Sequence, residues 1–418
     1  MKNNSRHPVL ITIIGLLIGL LIIVEESHAQ DQGFIYGKVT TIDGTVYTGQ
    51  IRWGKEETFW SDQFDAEKIG DNRGLKKEIE RRIHDERENR WGDINWRILS
   101  IWEDYSGSSH QFTIQFGDIK SIEYHGRNRI LLTLKDGSEI PLEGEGYNDV
   151  GARVQVMDFE LGEITIDGNR IDRVDFVETP STLPSKFGNP LNGTVYTFRK
   201  GEFKGLITWD HDENLHYEKL DGDSRDGEVS IPFGNIKSII SEGRGSKVVL
   251  TSGREMYLRG SNDVNGDNNG IWVNIPELGQ IDIKWRDFDR VEFDHTNNDT
   301  GPGYSTYKRP VKLQGTVVTV RNERFSGNLV FDLDEEYDFE MLDGSDDYVK
   351  FEVPFRNIRR LRPKNYNYSS VELKNGQVFL LGDHRDVSDD NDGIIVLSSD
   401  KDEHNYIPWQ EVDEIIFK

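Results

Sequence analysis

The feature that most constrains this chain is an internal repeat that covers most of its length. The segment that begins at Gly193 recurs from Gly315 onward, and the two segments match over long stretches without a gap. A match of this length predicts two copies of one folding unit. The matched features are an aromatic residue followed by aspartate, a Leu-Asp-Gly triplet and a Pro-Phe pair: Trp209-Asp210 with Phe331-Asp332, Leu220-Asp221-Gly222 with Leu342-Asp343-Gly344, and Pro232-Phe233 with Pro354-Phe355.

A further copy lies upstream of these two. Residues 37–53 match residues 193–209, and residues 116–122 match residues 233–239 at a different spacing. The change in spacing indicates an insertion in the upstream copy, which we place at about 54–112. Glu, Lys and Arg at helical spacing crowd one part of the insertion, residues 75–90, and predict one solvent-exposed helix.

The repeat divides the chain into three units joined by two linkers. The linkers are rich in Pro, Gly, Ser, Asn and Thr, as expected between folded units. The resulting boundaries are 30–178 for the first unit, 191–293 for the second and 312–418 for the third, with linkers at 179–190 and 294–311.

Each unit has the sequence pattern of antiparallel strands. Apolar residues alternate on both sides of glycine-containing turns that suit two-residue hairpins. Outside the insertion there is no long helical period, so the predicted fold is all-β. The four turns are Asp136-Gly137, Lys200-Gly201, Ser252-Gly253 and Asn375-Gly376.

A second pattern indicates that each unit is doubled. An apolar residue, an aromatic residue two positions later, and apolar residues three and six positions beyond it occur twice per unit. A strand that passes through one 3₁₀ turn into another strand gives this spacing. In the second unit the two occurrences are Ile231, Phe233, Ile236, Ile239 and Ile283, Trp285, Phe288, Val291.

The half-units resemble SH3-like and Sm-like small β-barrels. Residues 315–332 are similar to the bent first hairpin of those barrels, and Ile358 with Leu361 is similar to their closing strands. The resemblance implies a pair of small barrels in each unit. It implies no RNA-binding function, because the glycine of the second Sm motif and the basic loop residues are missing.

Composition excludes several classes of protein. The chain of 418 residues has a net charge of −25, and an acidic surface repels phosphate backbones, so nucleic acid is not an expected partner. It has no cysteine, which excludes disulfides and thiolate metal sites. Aromatic residues make up 11% of the chain, far more than disordered chains contain.

The N-terminus predicts export. Lys2 and Arg6 precede an apolar run at 9–24, and Ser27-His28-Ala29 fits a cleavage site, so residues 1–29 are expected to form a signal peptide. The alternative is a retained anchor, although the run is shorter than the roughly 20 residues that span a bilayer. The expected location is periplasmic, outer-membrane-associated or extracellular, with no integral membrane span in the mature chain.

Two loops rich in Asp and Asn are candidate calcium sites. Oxygen-bearing side chains at alternate positions could converge on a hard cation. Both loops lack the glycine and the bidentate glutamate of an EF-hand, however, and the alternative is that their side chains cap their own backbone. The candidate ligands are Asp263, Asn265, Asp267 and Asn269 in the second unit, and Asp386, Ser388, Asp390 and Asp392 in the third.

Aromatic residues fall into a repeated and a non-repeated group. Trp53, Trp209, Trp285 and Trp409 recur at matched places and are expected in cores. The non-repeated group is a candidate partner-binding patch, with packing of the insertion against its own unit as the alternative. It comprises Phe59, Trp60, Trp91, Trp96, Trp102 and Tyr105.

These features favour a non-catalytic binding or scaffolding protein of the bacterial envelope or exterior. No catalytic motif is present, and a repeated surface suits an envelope protein or glycan held at several points. One alternative is a calcium-stabilised surface structural protein, with Ca²⁺ as the single cofactor suggested. A less favoured alternative is a carbohydrate-active hydrolase, which needs only two carboxylates.

Overall fold

The computed structural model describes residues 31–68, 110–144, 149–397 and 404–418. These residues form antiparallel strands in three sheets, and their helical elements are 3₁₀ turns of three residues each. The predicted all-β class is therefore confirmed. The expected signal peptide at 1–29 and the expected helix at 75–90 lie outside the described residues.

The described residues of the first unit form ten strands. Their order in the sheet is given by hydrogen-bonded neighbours and runs β4-β3-β7-β6-β5-β10-β1-β2-β8-β9 when the strands are numbered along the chain. They are β1 Tyr36–Thr41, β2 Val46–Trp53, β3 Gln63–Lys68, β4 His110–Gln115, β5 Ile119–Tyr124, β6 Arg129–Leu134, β7 Glu139–Glu143, β8 Val154–Asp158, β9 Gly162–Ile166 and β10 Ile171–Phe176.

Ten strands are also described in each of the second and third units. In the second they are β11 Asn192–Thr197, β12 Glu202–Trp209, β13 Lys219–Ser224, β14 Gly227–Pro232, β15 Ile236–Glu242, β16 Gly245–Leu250, β17 Glu255–Leu258, β18 Ile271–Ile275, β19 Gly279–Ile283 and β20 Phe288–Phe293. In the third they are β21 Gln314–Thr319, β22 Arg324–Phe331, β23 Met341–Asp346, β24 Val349–Pro354, β25 Ile358–Pro363, β26 Tyr368–Leu373, β27 Val378–Gly382, β28 Ile394–Leu397, β29 His404–Ile407 and β30 Val412–Phe417.

Each unit is built from two five-stranded sets. In the second unit one set has the order β20-β11-β12-β18-β19, and the other has the order β15-β16-β17-β13-β14. The sets meet where β15 pairs with β20. The strand pairs of the first unit and of the third give the same arrangement.

One five-stranded set is inserted into the other. β13 to β17 follow one another in the chain and separate β11 and β12 from β18, β19 and β20. The strand assignment expected from the barrel resemblance needs correction here. The hairpin of β21 and β22 is completed by β30, whereas Ile358 and Leu361 lie on β25 in the inserted set. The repeat pattern identifies strands but does not specify which of two similar strands a hairpin will pair with.

The predicted turns form where the sequence places them. Gly201 and Gly253 adopt φ values of +90° and +83° in their hairpins, a backbone region that glycine enters without steric cost. The expected 3₁₀ step between strands also forms, for example at Phe233–Asn235 between β14 and β15. Its aromatic residue is buried in every unit, as Phe116, Phe233 and Phe355, so each step anchors the strand that follows it.

The second and third units share one sheet and one core. β19 pairs with β24 across the unit boundary, with Ile281 opposite Phe351. Apolar side chains of both units form a single continuous cluster, which includes Trp209 and Trp409, whereas Trp53 lies in the separate core of the first unit. The expected core placement is confirmed for Trp53, Trp209 and Trp409, whereas Trp285 is partly buried and packs against the shared core.

The region predicted to be an insertion, about 54–112, includes two strands that the other units also have. β3 ends at Lys68 and β4 begins at His110, and the two strands pair as one hairpin. The equivalent hairpin of the second unit joins Ser224 to Gly227 through a short turn. The extra chain therefore enters at the tip of the β3–β4 hairpin rather than directly after β2.

Candidate functional site

The candidate calcium loops are fastened to the strands beside them. Asp263 is buried, and its Oδ2 accepts a hydrogen bond of 2.6 Å from the backbone N–H of Asp221 on β13. Asp386 accepts the equivalent bond, of 2.7 Å, from Asp343 on β23. The first unit has the same bond although its loop is shorter, because Asp149 Oδ2 accepts from the N–H of Asp65 at 2.6 Å. These aspartates therefore brace the fold in all three units.

Other loop side chains bond to the backbone of their own loop. Asn265 Oδ1 accepts from the N–H of Asp267 at 2.7 Å, and Asn268 Oδ1 accepts from Gly270 at 3.0 Å. In the third unit Asn391 Oδ1 accepts from Gly393 at 2.9 Å. These are the self-capping bonds of the alternative interpretation, and they engage the side-chain oxygens within the loop.

An aspartate directly after the second strand of the second and third units holds each long loop. Asp210 and Asp332 adopt positive φ values of 52° and 47°, and Asp210 Oδ1 accepts from the N–H of Asn269 at 2.6 Å. The carboxylate of Asp332 accepts from the N–H of Asp392. The first unit has Gly54 at this place, so the aspartate accompanies the long loop. Of the remaining candidates, Ser388 is buried and Asp390 is exposed.

The aromatic patch divides into buried and undescribed residues. Phe59 is stacked on Phe34 with ring centroids 5.3 Å apart. Trp60 is fully buried, and its Nε1 donates to Thr179 Oγ1 at 2.9 Å. The structure therefore places Phe59 and Trp60 inside the protein. The other four members of the patch lie outside the described residues, where the partner-binding hypothesis stays a prediction: Trp91, Trp96, Trp102 and Tyr105.

The first unit contacts the second through an apolar cluster that contains Phe59 and Leu206, and through polar side chains. Arg52 forms a buried ion pair with Glu218 and donates to the hydroxyl of Tyr217. Thr58 and Asn214, which are equivalent positions in the two units, share a hydrogen bond of 3.2 Å. These contacts fix the relative placement of two units that do not share a sheet.

The first unit contacts the third through a half-buried arginine. Arg356 donates to both carboxylate oxygens of Asp118 at 2.8 Å, and its guanidinium lies 5.2 Å from the centre of the Tyr307 ring. Lys68 forms a second ion pair, with Glu340, at 2.6 Å. The bidentate geometry of the Arg356 pair is the strongest kind that arginine makes with a carboxylate.

A cavity lies where the three units meet. Its volume is about 250 Å³, and every unit and the second linker contribute to its wall. All three copies of the repeat therefore contribute to this site. Its lining residues are Ser61, Gln115, Asp118, Asn274, Ile275, Pro276, Gly279, Pro302, Thr306, Tyr307, Lys308, Arg309, Asp338, Arg356 and Asn357.

The charged groups of the cavity differ in their exposure and in whether they are already bound to other groups of the protein. Asp118 is engaged by Arg356, and Asp338 accepts from the N–H of Val311 at 3.2 Å. Burial raises the pKa of Asp338 above its usual value. Lys308 and Arg309 are exposed at the rim, so the groups that can meet an incoming ligand carry positive charge.

Sequence reasoning missed the cavity, although the repeat contains one signal for it. The first 3₁₀ turn of each unit is a tripeptide that begins with phenylalanine. The three tripeptides are Phe116-Gly117-Asp118, Phe233-Gly234-Asn235 and Phe355-Arg356-Asn357. A large cation stands where both other copies have glycine. A departure of this kind from a repeated pattern indicates a role that the repeat itself does not need.

No family model matches the chain, and neither a curated protein nor a solved structure matches it. The fold and the cavity are therefore the basis for any functional argument. In the described part of the chain, no helix has the length and apolar character needed to cross a membrane.

Proposed function

We propose that this protein is an exported, non-catalytic binding protein of the bacterial envelope or exterior. The junction cavity would hold a small acidic ligand, such as an acidic sugar unit of an envelope glycan. The observation that carries the proposal is that all three units and a linker form the wall of one cavity. The leader-like N-terminus supports export.

The charge at the rim favours an acidic ligand. The chain as a whole has a net charge of −25, yet Lys308 and Arg309 stand exposed at this opening. Two cations at a concave site on an acidic protein would attract a carboxylate or sulfate and orient it. Asn274, Asn357 and Thr306 offer neutral polar groups for hydroxyls of the same ligand.

The same residues support binding rather than catalysis. A general acid or base needs a titratable group that is free to exchange a proton with the ligand. Both oxygens of Asp118 are held by Arg356, and burial raises the pKa of Tyr307 well above its usual range. The described lining includes neither histidine nor cysteine.

The test is thermal unfolding of the purified protein with glucuronate and galacturonate, and with glucose as the neutral comparison. A ligand that binds only the folded state raises the midpoint, and we expect the two acids to do so more than glucose. The double variant Lys308→Glu/Arg309→Glu should lose this shift. The control variant Lys237→Glu/Arg254→Glu makes the same charge change at exposed positions outside the cavity and should keep it.

Two results would contradict the proposal. One is a midpoint that none of the acids moves at millimolar concentration. The other is an acid-dependent shift that survives unchanged in Lys308→Glu/Arg309→Glu, because the ligand would then bind elsewhere.

A further inference from the structure

Three side chains that can bind a metal lie close together in the third unit, next to the hydrogen bond between Asp386 and the N–H of Asp343. Asp343 lies on β23, His384 precedes the 3₁₀ turn Arg385–Val387, and Asp386 lies within that turn. One donor atom from each residue lies within 4.8 Å of the others. Two of the three come from outside the predicted calcium ligands, so the grouping differs from the loop site considered from sequence.

The spacing suits ligands around a shared ion better than hydrogen bonds. His384 Nε2 lies 3.6 Å from Asp343 Oδ2, and His384 Nδ1 lies 3.6 Å from Asp386 Oδ1. Both distances exceed a normal hydrogen bond. Ligands about 2.1 Å from a tetrahedral ion are separated by about 3.4 Å. An ion would bind one ring nitrogen of His384, and one donor atom from each of the three residues lies within 4.8 Å of the others, so small side-chain rotations would bring them to that separation.

The polar atoms of the cluster are incompletely satisfied. Asp343 Oδ1 and His384 Nδ1 are buried, and neither has a hydrogen-bond partner among the described residues. Asp386 is 5% exposed, and its Oδ2 is held by the N–H of Asp343. That bond fixes the carboxylate and leaves Oδ1 directed at the imidazole, so the site is ordered before a ligand arrives.

The nearest cation does not occupy the cluster. Lys350 Nζ forms its close ion pair with Glu352 and lies farther, at 3.9 Å, from Asp343 Oδ1. Arg385, the neighbour of Asp386 in the chain, is paired with Asp332. The two carboxylates of the cluster therefore keep lone pairs that a divalent ion could use.

The repeat supplies an internal comparison. The second unit has the same brace, with Asp221 and Asp263 in place of Asp343 and Asp386. Its turn, however, is preceded by Ser261 where the third unit has His384. Ser261 Oγ accepts from the N–H of Asp263 at 3.3 Å, so the serine serves the backbone. The hydrogen bond between the two aspartates therefore forms in the second unit without a histidine, and His384 is an additional feature of the third unit.

We propose that Asp343, His384 and Asp386 bind a divalent transition-metal ion of the zinc type. One imidazole and two carboxylates form a ligand set that suits Zn²⁺ and its neighbours better than Ca²⁺, which prefers oxygen ligands alone. Water would complete the coordination. The second unit, which has the two carboxylates but no imidazole, lacks this site.

The test uses the purified protein, freed of metal with a chelator, titrated with Zn²⁺ by calorimetry and then melted with Zn²⁺ or Ca²⁺. We expect one Zn²⁺ site and a rise in midpoint with Zn²⁺ that Ca²⁺ does not reproduce. His384→Ser copies the second unit and should weaken binding by more than the roughly 10- to 100-fold cost of losing an outer-shell partner. Its midpoint in chelator should match the parent protein.

The matched control is His216→Ser, because His216 packs against His295 with ring centroids 4.9 Å apart and forms the competing imidazole pair. That variant should keep the Zn²⁺ site. The proposal is overturned if His384→Ser binds Zn²⁺ as tightly as the parent protein, or if His216→Ser loses the binding instead. Asp343→Asn, which retains the side-chain shape, should weaken binding in the same direction as His384→Ser.

Discussion

The second and third units are joined in a different way from the first unit and its neighbours. β19 and β24 continue one sheet across a unit boundary, and a single apolar core lies beneath both units. In the described residues, the first unit has a separate core and meets the others through side chains alone, in ion pairs and in apolar contacts such as Phe34 and Phe59 with Leu206 and Leu215. Copies of one unit have thus been assembled through two kinds of interface, one made by backbone and one made by side chains.

The largest expected effect comes from the cores. Trp209→Ala should cost about 3–5 kcal/mol of unfolding free energy, because it removes a fully buried aromatic side chain. The damage should extend through the second and third units, since their core is continuous, whereas Trp53→Ala should first release the first unit. Urea unfolding combined with proteolytic mapping distinguishes the two. Equal loss of all three units in both variants would remove the distinction between the interfaces.

A smaller effect is expected where the first and third units meet. Arg356→Ala leaves the buried carboxylate of Asp118 without its partner, and we expect a cost of about 2–3 kcal/mol, near the lower end for broken buried pairs. The double variant Arg356→Ala/Asp118→Ala should recover part of that loss. A double-mutant cycle by urea unfolding measures the coupling, and strictly additive costs would show that the ion pair does not hold the interface.

A tight contact at the same junction should have a still smaller effect. A Cβ added at Gly117 would lie 2.3 Å from the Tyr307 ring, whereas at the equivalent Gly234 the nearest atoms, on His216, are 3.3 Å away. Gly117→Ala should therefore cost about 1–2 kcal/mol through displacement of the ring. Gly234→Ala is the matched control and should cost less. Equal costs would mean that Tyr307 moves aside freely.

The smallest effect is a pH dependence that differs between equivalent aspartates. Burial raises the pKa of Asp149 to about 8 and that of Asp263 to about 6. Between the unfolded and the folded pKa, the folded state retains a proton that the unfolded chain has lost. The cost of burying the charged carboxylate is therefore complete above the folded pKa. It is relieved progressively as pH falls from the folded pKa toward the unfolded one. The slope is at most about 1.4 kcal/mol per pH unit for each proton.

Asparagine variants separate the two aspartates. Asp149→Asn should flatten the rise in melting temperature between about pH 8 and pH 6, while Asp263→Asn should leave that interval unchanged and act below about pH 6. Melting curves at several pH values measure this. If the melting temperatures of the two variants depended on pH in the same way, the predicted difference between the pKa values of Asp149 and Asp263 would be contradicted.

The parts of the fold that could be predicted are those determined within one copy. Alternating apolar residues, the turn at Lys200-Gly201 and the step at Phe233 act over a few residues, so the sequence pattern specifies strands and turns directly. The pairing of strands is harder to predict, because β25 and β30 have similar sequences. Only the folded unit shows that β30 completes the hairpin of β21 and β22.

The candidate site depended on residues that break the repeat. Arg356 and Tyr307 act across unit boundaries, and their partners are set by how whole units pack, which no local pattern encodes. The loop residues such as Asp263 were selected for their oxygens, yet a buried carboxylate beside a free backbone N–H is bound by that N–H. Where a metal site is proposed, the distinguishing residue is His384, which one copy has and its neighbour lacks.

Amide hydrogen exchange of the equivalent strands β9 and β19 tests the central claim most directly. In the described residues β19 pairs on both sides, with β18 and β24, whereas β9 pairs with β8 alone. The account predicts slow exchange along residues 280–283 and markedly faster exchange at the outward-facing amides of residues 163–166. Equal protection of the two strands, or fast exchange in both, would contradict the claim that one interface is a continued sheet and the other is not.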